Sequence, residues 1–352
     1  MTERGMTMPI DRTAEVQTKI ERDGLVFYDI DEAPFRIHGV YREGDRYVRM
    51  PSDIAKTVSD GVGNLCAYTT GGRVRFITDS PYIAVSIRVG VFSKFPFFPL
   101  SGTVGCDLYG GTRYFGTYSP PLDITNSYEG VVDIFDPEER VYTVNMPLYS
   151  TVGKMYIGIK AGSVLKAAPD YAEMTPIVYY GSSITHGGCA TRPGCNYESI
   201  IARKYDWDFI NLGFAGCAKG EEEIARYIAG LPMRAFVYDY DHNAPTLDYY
   251  RETHERMFKI VRAAQPELPI IMMSRPKFHL SPEESERVNV MMQTYENALA
   301  AGDSHVYCIK GADLLSEDIR EVALVDNCHP TDGGFASIAK VLGEKLAAIL
   351  SV

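Results

Sequence analysis

Four short blocks of the sequence carry the residue types that acyl-transfer chemistry needs. Ser183 lies in a Gly-Ser-Ser-Ile-Thr segment, and Asp326 and His329 lie three residues apart just before a proline. A serine hydroxyl becomes a good nucleophile only when a base accepts its proton, and an imidazole needs a partner that fixes its tautomer and stabilises its cation. We therefore interpret Ser183 as a candidate nucleophile, His329 as its base and Asp326 as the orienting carboxylate.

The two remaining blocks offer hydrogen-bond donors. A tetrahedral intermediate carries an oxyanion, and each preorganised donor to it typically contributes about 2.7–4 kcal/mol. The backbone N–H groups of Ser183 and Gly216 and the side-chain amide of Asn243 are the predicted donors. Gly213 and Gly216 could both serve only a tight turn, and of the two we favour Gly216 as a donor.

The C-terminal half alternates apolar strands with helices. This pattern is typical of a doubly wound, three-layer α/β domain whose parallel sheet has helices on both faces. Ligands bind at the carboxyl ends of such strands, and the candidate blocks lie at or beside those ends. Strands are predicted over 176–181, 208–213, 234–241, 269–276 and 305–310, and helices over 196–204, 221–228, 247–264, 282–301 and 333–349.

The N-terminal half is rich in short β segments with turn residues between them. Several segments alternate apolar and polar residues, as half-buried antiparallel strands do. We predict a β-sandwich or jelly-roll-like domain over 1–165 and the α/β domain over 175–352, joined by a linker near 161–174. The predicted strands of the first domain are 64–70, 73–78, 82–89, 102–109, 112–118, 140–146 and 154–160.

Along the chain the four blocks contain Ser183, Gly216, Asn243 and the Asp326–His329 pair. In this order they resemble the conserved blocks of the SGNH (GDSL-type) hydrolases over about residues 176–350. The resemblance implies a Ser183–His329–Asp326 triad, with Gly216 and Asn243 in the oxyanion hole and no metal or organic cofactor. Two positions depart from the family pattern: Ser182 stands where the family usually has Asp, and Asn243 lacks the usual Gly-x-Asn-Asp context.

The two-part organisation is similar to that of carbohydrate esterases that remove O-acetyl groups from polysaccharides or oligosaccharides. The phrases RVRFITDS and GCDLYG in the N-terminal half add to this resemblance. It implies a serine esterase acting on short-chain acyl esters, with an oligosaccharide or small-molecule ester as substrate. Two alternatives stay open: an acyltransferase that uses the same acyl-enzyme, and a non-catalytic glycan-binding protein.

Other residues near the blocks are candidates for substrate binding. They are His186, Arg192, His242 and Arg275, each of which could equally be an ordinary loop residue or ion-pair partner. The segment 92–99 contains four phenylalanines and two prolines, so that it cannot continue a central strand. Such an apolar loop covers a subunit, a neighbouring domain or the rim of a site, and we expect it to allow homo-oligomer formation.

Composition narrows the classes of partner. The 35 Lys and Arg against 46 Asp and Glu give a net charge of −11, which argues against nucleic-acid binding or attraction to an anionic membrane. No apolar run is long enough to span a bilayer, and the start of the chain is polar, unlike a secretory signal. Seven cysteines without metal-ligand spacing indicate a reducing, cytoplasmic setting, and no ligand set completes Asp239 and Asp241 as a metal pair.

Overall fold

A computed structural model describes residues 9–351, so that the polar start interpreted above lies partly outside the described residues. The N-terminal half consists of short strands with three small helices. The helices are α1 (Ser52–Val58), α2 (Asp60–Leu65) and α3 (Leu100–Thr103). The strands are β1 (Leu25–Asp29), β2 (Arg36–His38), β3 (Tyr41–Glu43), β4 (Arg46–Val48), β5 (Arg73–Thr78), β6 (Tyr82–Phe92), β7 (Cys106–Gly110), β8 (Arg113–Tyr118), β9 (Ser127–Asp133), β10 (Arg140–Asn145), β11 (Ser150–Lys160) and β12 (Leu165–Lys166).

Two larger antiparallel sheets and the two-stranded β3–β4 sheet make up this half. One larger sheet has the strand order β1-β11-β6-β9, and the other has β12-β5-β10-β7-β8 with β2 paired to β5. Val74 and Phe76 of β5 share one buried cluster with Ile83, Val85 and Ile87 of β6, so that the alternating residues of both sheets fill a common core. The predicted sandwich is confirmed.

The C-terminal half is a five-stranded parallel sheet between two layers of helices, as predicted. Its strand order is the second, first, third, fourth and fifth along the chain. Because the first strand has the second on one side and the third on the other, a crevice opens at the carboxyl end of the first strand. The elements are β13 (Glu173–Gly181), β14 (Trp207–Gly213), β15 (Ala235–Asp239), β16 (Ile270–Met273) and β17 (Val306–Ile309), with α4 (Tyr197–Tyr205), α5 (Glu222–Ala229), α6 (Leu247–Ala264), α7 (Pro282–Ala300) and α8 (Asp332–Ile349).

Helix α8 begins three residues after the candidate base. Its N-cap is Thr331, whose hydroxyl accepts a hydrogen bond from the Gly334 N–H at 3.2 Å. An N-cap of this kind satisfies one of the backbone donors that a helix start leaves free. The apolar stripe of Phe335, Ile338 and Leu342 is buried under the sheet, which fixes the start of the helix and the loop before it.

The segment 64–70 is not the strand that the sequence predicts. Helix α2 occupies its start, and a single bridge at Tyr68 is its only strand pairing. Its apolar residues do not alternate across a sheet because Val62 and Cys66, with Ala55 of α1, pack into the core of the parallel-sheet half beside Phe214. Strand β1 is a further element that the sequence analysis missed.

Arg49 forms hydrogen bonds with both halves of the protein. Its buried guanidinium donates hydrogen bonds to the carbonyl oxygens of Tyr68, Asn211 and Gly213 at 2.8, 2.9 and 2.8 Å. The same group lies over the ring of Phe214, 4.7 Å from its centroid. A charge buried in this way is tolerated only when its donors are paired, and here the acceptors come from both halves.

Candidate active site

The turn after β13 holds Ser183 at the crevice. A side chain at Gly181 would collide with the Asp239 carboxylate, so that only glycine fits at the strand end. Ser182, at the position where the SGNH hydrolases usually have Asp, donates from its hydroxyl to Asp239 Oδ2 at 3.1 Å and accepts from the Ile184 N–H at 3.1 Å. These bonds hold the turn against the end of β15, while the Ser183 hydroxyl points to the crevice and to His329.

Ser183, His329 and Asp326 form one chain of hydrogen bonds. Ser183 Oγ lies 2.8 Å from His329 Nε2, and His329 Nδ1 lies 2.8 Å from Asp326 Oδ2. When Asp326 accepts the Nδ1 proton, the Nε2 lone pair faces the serine hydroxyl. The three residues that the sequence analysis selected are therefore together, in the geometry that a nucleophile and its base require.

The loop before α8 explains how Asp326 reaches His329. Asn327 has a φ of 63°, a left-handed conformation that turns the chain back on itself. Asp326 Oδ1 accepts from the backbone N–H groups of Cys328 and His329 at 3.1 and 2.8 Å. Burial alone would raise the pKa of Asp326, but the hydrogen bonds from His329 hold that pKa below its usual value, so that the carboxylate stays ionised.

The predicted oxyanion donors lie around the same crevice. Among residues 9–351, neither the Ser183 N–H nor the Gly216 N–H donates to a protein acceptor. Gly216 has a φ of 70°, with open space where a Cβ would lie, whereas a Cβ at Gly213 would collide with the His186 backbone. Asn243 Nδ2 makes one long contact, 3.5 Å, to the carbonyl oxygen of Phe214. Gly213 therefore serves close packing, whereas in the described part of the chain the Ser183 and Gly216 N–H groups have no protein acceptor and the Asn243 amide has only a weak one.

His186 is not a substrate residue in this structure, contrary to the prediction. The side chain is fully buried, its Nε2 lies 2.8 Å from the Leu148 carbonyl oxygen, and its ring stacks on Tyr149 at 4.1 Å. Burial, followed by the nearby charge of Arg49, lowers the pKa of His186 well below its usual value. It is a neutral core residue between the two halves.

Arg192 also makes contacts other than those predicted. Its Nη2 donates to the Tyr109 hydroxyl at 3.2 Å, its Nε lies 3.5 Å from the buried Asp107 carboxylate, and its guanidinium lies over the ring of Tyr114. These partners belong to β7 and β8. The side chain therefore joins the two halves of the protein instead of facing Ser183.

His242 and Arg275 belong to a buried polar group behind the Asn243 loop. His242 Nδ1 lies 2.7 Å from Asp241 Oδ1, and the backbone N–H of Arg275 donates to Asp241 Oδ2 at 3.0 Å. The Arg275 guanidinium pairs with Glu284 at 2.6 Å. Neither side chain has a hydrogen bond to the triad, so that their part in substrate binding stays a prediction.

The phenylalanine-rich segment 92–99 lies at the rim of the site. The Phe98 ring centroid is 5.5 Å from that of His329 and 5.0 Å from that of Tyr149, whose hydroxyl donates to the Ser183 carbonyl oxygen at 3.2 Å. Phe95 packs on Phe98 at 4.6 Å and is exposed, as is Phe97. Of the three locations considered, the structure places the loop at the rim, and self-association through it stays a prediction.

Gly188 permits this close approach. A Cβ there would lie 3.0 Å from both Phe98 and His329. The sequence analysis missed Tyr149 and the role of Phe98, because nothing in their local spacing relates them to blocks that are far away along the chain. Within the described residues, no three His, Cys, Asp or Glu side chains converge as metal ligands.

Sequence profiles of known families agree with this architecture. The GDSL-like lipase/acylhydrolase family matches residues 174–347, and the profile described as the N-terminus of SGNH-hydrolase-type esterases matches residues 25–165. The chain belongs to the SGNH/GDSL family of esterases. No curated protein matches the sequence.

Solved structures give the same result over nearly the whole chain. A GDSL-like lipase from Bacteroides ovatus, so described, is 25% identical with a TM-score of 0.83, covering 93% of this chain and 98% of that one. The salicylyl-acyltransferase SsfX3 of a tetracycline biosynthetic pathway is 20% identical, with a TM-score of 0.75 and coverage of 94% and 98%. The acetyl xylan esterase Est2A of Butyrivibrio proteoclasticus is 11% identical, with a TM-score of 0.59 and coverage of 93% and 99%. The last two likenesses concern the fold.

No helix within residues 9–351 combines the length and the apolar character that crossing a bilayer requires.

Proposed function

We propose that this esterase hydrolyses short-chain acyl esters, O-acetyl groups on oligosaccharides in particular, with Ser183 as nucleophile, His329 as base and Asp326 as orienting carboxylate. The observation that carries the proposal is the continuous chain of 2.8 Å hydrogen bonds from Ser183 through His329 to Asp326. It lies beside the Ser183 and Gly216 N–H groups, which have no protein acceptor within residues 9–351, and beside the Asn243 amide, which has one long contact. All of these residues follow strands at the switch point of a parallel sheet, where α/β folds bind ligands.

The reaction has two halves. Ser183 Oγ forms a bond to the acyl carbon while its proton moves to His329 Nε2, and the carbonyl oxygen becomes an oxyanion. The oxyanion accepts hydrogen bonds from Ser183 N–H, Gly216 N–H and the Asn243 amide. Collapse of the intermediate breaks the bond to the alcohol oxygen, which takes the proton from His329. A water molecule then repeats these steps on the acyl-enzyme and releases the acid.

The carbohydrate part of the proposal rests on the rim and on the relatives. Phe98 lies beside His329, which protonates the leaving alcohol in the proposed reaction, and the exposed Phe95 packs on Phe98. Aromatic faces are large apolar surfaces of defined shape, and the carbon-bound hydrogens of a sugar ring can pack against them. Solved neighbours include an acetyl xylan esterase and family two carbohydrate esterases.

A second candidate is acyl transfer, in which an alcohol or amine replaces the water. It is favoured by the similarity to the salicylyl-acyltransferase, which spans nearly the whole of both chains. The triad chemistry is the same in both reactions, so that the nature of the acceptor decides between them.

Product analysis tests both candidates and the non-catalytic alternative. The protein is incubated with a panel of acetylated oligosaccharides, and acetate release and the remaining acetyl positions are followed by NMR. We expect acetate release that Ser183→Ala abolishes without change of fold. Transfer of the acyl group to an added alcohol in preference to water would favour the transferase, and sugar binding without turnover of any ester would exclude both reactions.

A matched pair of variants tests the rim. Phe95→Ala is expected to raise the KM for acetylated oligosaccharides several-fold and to leave that for ethyl acetate unchanged, because only the large alcohol reaches the loop. Phe135→Ala, on the turn between β9 and β10, removes a still more exposed ring elsewhere and serves as the control. Equal effects on the two esters would show that the loop does not contact the alcohol.

A further inference from the structure

A cavity lies at the junction of the two halves, and none of the triad residues lines it. Its volume is about 310 Å³, and its walls come from β5, β10, the β7–β8 turn, the segment before β13, and α4. Its mouth is formed by exposed residues, Thr112 and Asp206 among them, so that a small molecule can enter from solvent. None of the residues that line it belongs to the triad or to its oxyanion donors.

Three arginines line this cavity in a protein whose net charge is −11. Arg73 and Arg75 alternate along β5 and are 2% and 5% exposed, while Arg203 comes from α4. Asp206 is the one acidic residue among those described as lining it, and its carboxylate lies 3.6 Å from Arg75 Nη2, beyond hydrogen-bond distance. Asp208, behind Arg73, forms a second ion pair with it at 2.7 Å, so that the two carboxylates neutralise the arginines only in part.

Aromatic rings hold each guanidinium in place. The guanidinium carbons of Arg73, Arg75 and Arg203 lie 3.7, 3.8 and 3.8 Å from the ring centroids of Phe209, Tyr171 and Tyr109, in that order. Stacking of this kind uses the flat faces of the guanidinium and leaves its N–H groups, which lie in the plane, free to donate.

Five nitrogens of these guanidinium groups lack acceptors within the described residues. Arg73 Nη2 bonds to Asp208 and to the Phe209 carbonyl oxygen, but its Nε and Nη1 are buried without a partner. Three further nitrogens are buried without a partner among residues 9–351, namely Nε and Nη1 of Arg75 and Nη1 of Arg203. Arginine does not lose its proton in proteins, and buried polar groups are almost always hydrogen-bonded to protein, water or ligand, so that these donors are available to acceptors that enter the cavity.

We propose that this cavity binds a small oxyanion, a phosphate, sulfate or carboxylate group, whose oxygens accept from Arg73, Arg75 and Arg203. Guanidinium forks match the geometry of these groups. The volume leaves room for a body beyond the charged group, and Thr143 and Ser199 are among the residues that line the cavity. The ligand contacts both halves of the protein and thereby stabilises their junction, whatever reaction occurs at Ser183.

Calorimetric titration of the full chain at constant ionic strength tests the proposal, with inorganic phosphate, sulfate and glucuronate as three separate probes. We expect saturable binding of at least one probe with one site per chain, and a rise of a few degrees in Tm at saturation. The probe that binds best identifies the group: phosphate or sulfate favours a tetrahedral anion, and glucuronate a carboxylate on a sugar ring.

Variants locate the site. Arg75→Gln and Arg203→Gln should each weaken binding at least tenfold and abolish the rise in Tm, each variant being compared with itself without anion. Arg226→Gln removes an exposed charge on α5 and should bind like the unaltered protein. If Arg75→Gln fails to fold, Arg203→Gln, on a helix surface, carries the test alone. Absence of saturable binding for all three probes, or equal binding by the variants, overturns the proposal.

Discussion

Two histidine–aspartate pairs lie at the same edge of the parallel sheet, and only one of them has a nucleophile. The Nδ1-to-carboxylate distances are nearly equal, 2.8 Å for His329 and Asp326 and 2.7 Å for His242 and Asp241. In the first pair the side chains are 18% and 23% exposed, and Nε2 meets Ser183. In the second they are 6% and 5% exposed, and Nε2 is buried without a partner. An imidazole–carboxylate pair alone therefore does not define a catalytic base; access and a neighbouring hydroxyl do.

The surroundings give the second pair a different electrostatic state. Burial lowers the pKa of His242 below its usual value, although Asp241 acts in the opposite direction. Burial alone would raise the pKa of Asp241, but the hydrogen bond from His242 and the nearby Arg275 hold that pKa below its usual value. We therefore expect a neutral imidazole and an ionised carboxylate that support the loop carrying Asn243.

The largest expected effect comes from removing the accessible histidine. His329→Ala should lower kcat by about 10⁴-fold or more, since the serine loses its base. Its melting temperature should stay close to that of the unaltered protein, because the ring is partly exposed. Steady-state kinetics on a short-chain aryl ester and thermal unfolding by circular dichroism measure the two quantities. Activity above a hundredth of the original would place the base elsewhere.

The loop of the second pair contributes an amide instead of a base. Asn243→Ala should lower kcat by about 10²–10³-fold with little change in KM, because the donor acts mainly on the oxyanion. The exposed Asn289 of α7, changed to Ala, is the matched control. An unchanged kcat would leave the oxyanion to Ser183 and Gly216 alone.

Removal of the buried histidine should affect stability more than turnover. His242→Ala leaves Asp241 buried without its imidazole donor, which costs about 1–3 kcal/mol of unfolding free energy. The remaining folded enzyme should lose less than tenfold in kcat. Urea unfolding, with His305→Ala as a solvent-exposed control, measures the first effect. Full stability together with lost activity would instead make His242 a catalytic group.

The buried carboxylates Asp239 and Asp241 differ in the direction of their pKa shifts, and such shifts make the unfolding free energy depend on pH. Both are buried, but burial raises the pKa of Asp239 to about 7, with the Thr185 and Ser182 hydroxyls acting in the opposite direction. Between pH 4 and 7 the folded state then holds a proton that the unfolded state lacks, so that the unfolding free energy falls as pH rises, by at most about 1.4 kcal/mol per pH unit.

Asp239→Asn, which is neutral at every pH, should flatten this part of the stability profile. Thermal melts of both proteins between pH 4 and 8 measure the difference. Identical slopes would mean that the Asp239 carboxylate is ionised throughout this range in the folded protein.

The sequence analysis located the site because its residues follow parallel strands. Ser183, Gly216 and Asn243 come after consecutive strands of one sheet, and the topology of such sheets brings their carboxyl ends together. The helix that starts after His329 has a clear apolar stripe, which placed the last block at the same edge. These are local patterns, and they were sufficient to predict that Ser183, His329 and Asp326 lie close together.

Contacts between the halves could not be predicted in this way. In RVRFIT, alternation marks Val74 and Phe76 as the buried face and leaves Arg73 and Arg75 to solvent. In the structure both arginines are buried, because Tyr171 and α4 cover that face as well. The sequence likewise indicates a loop residue at His186. In the structure its ring is covered by Tyr149, which belongs to the other half.

The Arg49 anchor has a consequence for how the protein can be divided. A shortened chain that began at β13 would lose the donor that Arg49 supplies to the carbonyl oxygens of Asn211 and Gly213, on the strand that leads to Gly216. It would also expose the apolar wall now covered by α1 and α2. We therefore expect a chain that starts at β13 to be less stable than the full chain, and the two halves to unfold together in one transition.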